Sequence, residues 1–186
     1  GLALNLYSWL TQRSPESPCP YQIVDAIILA RAAVDNYQRE LHEKKWENED
    51  VIAANYNNLA YFLTLNVSDM KERGDAGGER LTLEQGRQRL LRARIYLTKL
   101  KELVAKDYWA PNHPEYFHTE ASLEYQECLM DLFGKKDKVY MIEKLTHAER
   151  EINKALELYP KGPKYQQLKE LIEKAKDDIA SGRLLL

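Results

Sequence analysis

Apolar residues recur along this chain at intervals of three and four, the period of a helix with one buried face. Ile23, Ala26, Ile27, Ala30, Ala33, Val34, Tyr37 and Leu41 keep to one such face, which predicts a long helix from residue 21. The polar run 42–50 closes it, and a second helix is predicted over 51–65. Thr82 and Gln85 have the spacing of a capping box, and the helix after them keeps Leu90, Ala93, Leu97, Leu100 and Val104 on one face. Pro114 suits the first turn of the next helix, which carries Phe117, Ala121, Leu123 and Leu129 and runs to a stop at Gly134. Val139 opens a further helix holding Ala148, Ile152 and Ala155, and Pro160 stops it. A last helix, with Leu168, Leu171, Ile172, Ala175 and Ile179, follows Pro163. Leu6, Trp9 and Leu10 mark a short helix at the front. The expected fold class is all-α, with about seven helices.

The segments between these patterns divide the chain. Residues 1–20 are the front helix and a linker: 11–20 holds three prolines and two serines and cannot be regular helix. Residues 21–180 form the helical domain. Within it, 66–80 is polar, charged and glycine-bearing, with little to bury, and reads as an exposed mobile insertion. The tail 181–186 is expected to fray or to pack on another body.

Three of the helices share one further feature. Ala26, Ala30 and Ala33, then Ala93, Leu97 and Leu100, then Ala148, Ile152 and Ala155 each fall four and three residues apart. Small residues so placed let two helices cross closely. With Pro160 after the last set, this spacing resembles the second helix of a tetratricopeptide (TPR) repeat. ANYNNLAYFL (54–63), with Tyr56, Leu59, Ala60 and Leu63, resembles the first helix of such a repeat, and PNHPEYFHTEASLEY (111–125) resembles the linker and first helix of bacterial TPR units. The resemblance covers residues 21–176. It implies stacked antiparallel helix hairpins, a right-handed α-solenoid closed by an end helix with a polar outer face. The chain departs from the family in its long repeats, against a usual unit of about 34 residues. It also has Glu120 where the family has an apolar residue.

The first helix of each pair lines the concave face of such a stack. If Tyr56 and Phe117 pack inside, Asn57, Asn58, Tyr61 and Leu65 face the groove from one helix, and His118, Ser122, Tyr125 and Gln126 from the next. Amides for a peptide backbone and tyrosines as rigid contact area suit a protein or peptide partner. TPR domains that hold the C-terminal carboxylate of chaperones use Lys, Arg and Asn there. Asn58 matches one such Asn, but Glu115 and Thr119 stand where the family has Lys and Arg, so a carboxylate is not the expected ligand.

Composition narrows the picture further. Charged residues make up 30%, with a formal net charge of −2, so no single-sign field points to nucleic acid or a membrane surface. No apolar run approaches the roughly 20 residues that span a bilayer. Arg87, Arg94 and Lys101, seven residues apart, form a basic ridge expected to face solvent, but Glu84, Glu102 and Asp107 dilute it. Cys19 and Cys128 read as free thiols in a reducing, cytoplasmic setting, Cys128 as inert core. Of twelve tyrosines, Tyr61 and Tyr125 are singled out for contact and the rest for packing.

His42, His113, His118 and His147 form no metal-ligand spacing, and GDAGGER (74–80) lacks the ending of a phosphate loop. No enzyme activity, cofactor or metal is expected. The expected function is protein–protein interaction through the concave groove, within a larger bacterial signalling or effector protein. The alternatives are a self-associating structural spacer, with residues 2–10 and 184–186 as sticky ends, and a nucleic-acid or acidic-partner contact through the helix 87–106.

Overall fold

The computed structural model describes residues 27–28, 31–32, 35, 49–65, 82–105, 113–133 and 137–183. Among them stand five long helices and no strand: α1 (Glu49–Thr64), α2 (Leu83–Val104), α3 (Pro114–Phe133), α4 (Lys138–Leu158) and α5 (Pro163–Ala180). The fold is all-α. The predicted front helix, the linker 11–20, the insertion 66–80, Ala26, Ala30, Ala33, Cys19, Lys106 and residues 184–186 lie outside the described residues.

Local chemistry sets the helix ends. Thr82 caps α2: its hydroxyl accepts from Gln85 N at 3.2 Å, and Gln85 Oε1 accepts from Thr82 N at 2.7 Å, a closed capping box. Pro163 opens α5 at a position where a missing N–H costs nothing. Residues 181–183 form the C-cap of α5. Gly182 has φ 77°, Arg183 N donates to Asp178 O and Gly182 N to Ile179 O, so the last carbonyls are satisfied. At the end of α1, the Arg89 guanidinium reaches across from α2 and donates to Phe62 O and Leu65 O at 3.1 and 3.2 Å.

Packing follows chain order with one addition. α1 packs on α2, α3 on α4, and α4 on α5, while α3 also packs on α1 and α2, and α5 touches α3. Two cores result. Ile52, Tyr56, Leu59 and Leu63 of α1 interlock with Leu90, Ala93, Leu97 and Leu100 of α2 in the first, with Ile27 half-buried against it. Phe117, Ala121 and Cys128 of α3 join Leu145, Ala148, Ile152 and Ala155 of α4 and Tyr165, Leu168, Ile172 and Ile179 of α5 in the second. Ala93, Ala148, Ile152 and Ala155 are fully buried, as the small-residue spacing predicts for a close crossing.

α3 belongs to both cores. Its Leu123 and Met130 enter the first while Phe117, Ala121 and Cys128 enter the second. A helix packed on two sides has little outer face, so every residue from Phe117 to Glu124 is buried, polar ones included. Buried polar groups need partners. Glu120, only 6% exposed, finds one in Lys101 Nζ at 2.5 Å.

Candidate partner-binding groove

α1, α3 and α5 border a cavity of about 360 Å³. Tyr61, Thr64 and Leu65 line it from α1 and its end, His118, Ser122, Tyr125 and Gln126 from α3, and Lys164, Gln167, Leu168 and Leu171 from α5. On α3 these positions repeat at four and three or four, one helical stripe. Tyr61, Leu65, His118, Ser122, Tyr125 and Gln126, assigned to the groove from the sequence, therefore meet around one space.

The remaining two do not. Asn57 is buried rather than exposed, and neither it nor half-buried Asn58 borders the cavity. Both sit about a turn before Tyr61 on α1. His118 and Ser122 line the cavity but are themselves buried, against the expectation of exposed side chains. For His118 and Ser122 the reason is the burial of α3 on two sides.

An aromatic row runs from the groove to the turn between α4 and α5. The His118 ring lies between Tyr61, at 5.1 Å, and Tyr165, at 5.2 Å, and Tyr159 meets Tyr165 edge-on at 6.3 Å. Burial, and then the nearby Lys164 charge, push His118 down to about 3 against the opposing pull of Glu115, so its imidazole is neutral at neutral pH. Its Nδ1 and Gln126 Oε1 are buried with no hydrogen-bond partner.

At one end the groove is closed by an ionic lock. Lys164 Nζ donates to Glu115 Oε2 at 2.6 Å, and the Tyr165 hydroxyl donates to Glu115 Oε1 at 2.7 Å. Burial alone would raise the Glu115 carboxyl; these two donors more than offset it and hold the group below its ordinary value. Glu115 is thus committed to α5, and it neutralises the cation that lines the cavity.

Sequence reasoning missed the whole α5 wall. It cast the last helix as an end cap and put Leu171 in its buried face, yet Leu171 is 48% exposed at the cavity. Leu168, Ile172, Ala175 and Ile179 already complete the inward stripe at four, three and four. A leucine left over beside a complete stripe was the available signal.

The basic ridge is partly engaged. Arg87 and Lys101 are exposed and Arg94 is half-buried, and both Arg94 and Lys101 reach carboxylates of α3. Arg94 Nη2 donates to Glu127 Oε2 at 2.6 Å and Glu124 Oε1 at 2.8 Å, and Nε donates to Glu127 Oε1 at 2.9 Å. Lys101, seven residues on, meets Glu120, seven residues back, the register of an antiparallel pair. Lys144 of α4 joins Glu127 at 2.7 Å. These carboxylates neutralise most of the ridge. Of the other basic residues on this helix, Lys99 Nζ lies 5.7 Å from the centre of the Tyr56 ring, and Arg92 is exposed.

Among the described residues, no three His, Cys, Asp or Glu side chains gather into a metal-binding group, and no helix is long and apolar enough to cross a membrane. Cys128 is buried, its Sγ 3.6 Å from Met141 O, and burial pushes its thiol up to about 12. The fold and groove thus define the chain as an all-α helical protein with an open cleft on one side. Comparison with protein-family models, curated proteins and solved structures finds no match for it.

Proposed function

We propose that this chain is a protein–protein interaction module of TPR-like type, binding a peptide or partner segment in the groove between α1, α3 and α5. The observation that carries the reading is the convergence of Tyr61, Leu65, His118, Ser122, Tyr125 and Gln126 on one cavity. Rigid aromatics and amides around a cleft of this size suit a bound segment. The pairing order supports the repeat reading: α1 with α2 and α3 with α4 are the hairpins, and α1, α3 and α5 meet side by side as first helices do. With the helices predicted over 2–10 and from residue 21, this is a right-handed α-solenoid of about seven helices. It would serve a larger bacterial signalling or effector protein in the cytoplasm. The test compares capture of partners from cell extract by the full chain and by a Tyr61→Ala, Tyr125→Ala variant of unchanged helicity. Partners lost only from the variant support the groove. Partners retained by both move the binding surface elsewhere.

A structural spacer or self-associating module is the second reading. Leu91 and Ile95, one turn apart on α2, are both about half exposed, an apolar step that a second copy could cover. Light scattering over a concentration series tests it: a dimer abolished by Leu91→Ser with Ile95→Ser supports this role, and a monomer throughout removes it.

A further inference from the structure

α2 carries a second surface, on a helix that does not line the groove. Glu84, Gln88, Leu91, Ile95, Thr98 and Glu102 follow one another at alternating intervals of four and three, and all six are exposed. That is the spacing of a heptad seam. It lies on the opposite side of α2 from Leu90, Ala93, Leu97 and Leu100, which enter the core. At its middle, Leu91 and Ile95 are 54% and 48% exposed. A cavity of about 450 Å³ adjoins the seam between α2, α3 and α4, where Leu91 and exposed Tyr140 stand beside buried Leu90 and Met130.

The seam has basic flanks on both sides. Arg87, Arg94 and Lys101 run along one, and Arg92 and Lys99 along the other. Carboxylates of α3 take up Arg94 and Lys101, and Lys99 lies near the Tyr56 and Tyr96 rings. Exposed Arg87 and Arg92 form no ion pair with a described residue.

Flanking charges select the helix that a seam accepts, because they lie against the flanks of the helix opposite. A second copy of α2 would bring a basic flank against a basic flank in either direction, so like charge opposes self-pairing along this line. A uniformly anionic surface, of phosphates or lipid headgroups, would meet Glu84 and Glu102 at the two ends of the same seam. A helix with discrete carboxylates avoids both conflicts. Its apolar residues cover Leu91 and Ile95, and its acidic residues stand opposite Arg87, Arg92 and Lys99.

We infer that the outer seam of α2 is a docking site for an acidic amphipathic helix of a partner protein, laid along Arg87 to Lys99 with an apolar side chain entering the cavity beside Leu91. This surface is additional to the groove and does not depend on it.

The test titrates the isotope-labelled full chain with a peptide of about three heptads, Leu at the a and d positions and Glu at e and g, followed by backbone amide NMR shifts. A companion peptide carries Lys in place of Glu. The Glu peptide should shift amides of α2 and bind at least about tenfold more tightly than the Lys peptide, with the difference shrinking as salt is raised. Leu91→Ser with Ile95→Ser should weaken the Glu peptide about tenfold. Arg87→Glu with Arg92→Glu should bring the two peptides to within about threefold of each other. All four side chains are exposed, so both variants should keep the parent melting temperature, and each tests the seam without the other. Equal binding of the two peptides to the parent chain, shifts confined to α1, α3 and α5, or no saturable shift would each overturn the inference. So would tighter binding of phosphatidylserine vesicles or duplex DNA than of the Glu peptide at the same salt. A dimer lost in the Leu91→Ser, Ile95→Ser variant would assign the seam to a second copy and overturn it too. None of these outcomes bears on groove-dependent capture, which the Tyr61→Ala, Tyr125→Ala variant tests separately.

Discussion

The Tyr165 hydroxyl donates to Glu115 Oε1 at 2.7 Å, joining helices whose residues stand 50 apart in sequence. This bond and Lys164 tie α5 to the first turn of α3, and Tyr165 also carries the aromatic row. Tyr165→Phe keeps the ring and removes only the donor. It should cost about 1.5–3 kcal/mol in urea denaturation, the range for a hydrogen bond to a charged group. Gly162→Ala should be worse: its added Cβ would fall within 3 Å of the Tyr165 ring, which is buried and cannot swing away.

The neutral His118 makes stability depend on pH in a definite direction. Its folded value lies near 3, below that of the unfolded chain, so the unfolded state binds the proton first. Its contribution is therefore complete above about pH 6.5 and lost as pH falls from there towards the folded value. Between pH 6.5 and 5 the slope for this one group approaches about 1.4 kcal/mol per pH unit. Denaturation across that window should show the slope, and a folded His118→Gln variant should reduce it. The His118 ring resonances should hold still from pH 8 to 5; a midpoint near 6.5 would contradict the burial argument.

Arg94 holds two largely buried carboxylates, Glu124 and Glu127, and Lys144 is the other cation on Glu127. Removing a shared partner leaves charge buried and underpaired. Arg94→Met should destabilise by about 2–3 kcal/mol, and Arg94→Met with Glu127→Gln by less than the sum of the single changes. A double-mutant cycle with no coupling would show the network to be surface decoration. For Glu127, burial would raise the carboxyl, but Arg94 and Lys144 outweigh it and hold it low. Its contribution is present above the ordinary carboxylate value and vanishes as pH falls through the lowered one. Charge reversal at Arg94 or Lys101 would also break their pairs with Glu124, Glu127 and Glu120, so Arg87→Glu is the cleaner probe of the ridge.

Cys128 combines full burial with a thiol pushed up to about 12. In a Cys19→Ser variant, a thiol reagent at pH 8 should leave the native protein unmodified and label Cys128 only after denaturant is added. Prompt native labelling would show that the α3–α4 contact opens readily.

What could be read from the sequence alone was what neighbours along the chain settle among themselves. Thr82 with Gln85, Pro114, Pro160 and Pro163 set helix ends through bonds and clashes within one turn. The intervals between Ala93, Leu97 and Leu100, and between Ala148, Ile152 and Ala155, show which face turns inward. On α3 the positions Ser122, Tyr125 and Gln126 followed in the sequence from taking Phe117 as a packing residue. Tertiary structure alone decided what each face would meet. The same seven-residue spacing describes Arg94 free in water and Arg94 clamped by Glu124 and Glu127; only the antiparallel register of α2 on α3 distinguishes them. Nor does Asn57 differ locally from an exposed amide until the helices pack and bury it. Leu171 became a wall of the cleft because α5 packs beside α3, an arrangement of residues some 50 positions apart that no local period encodes.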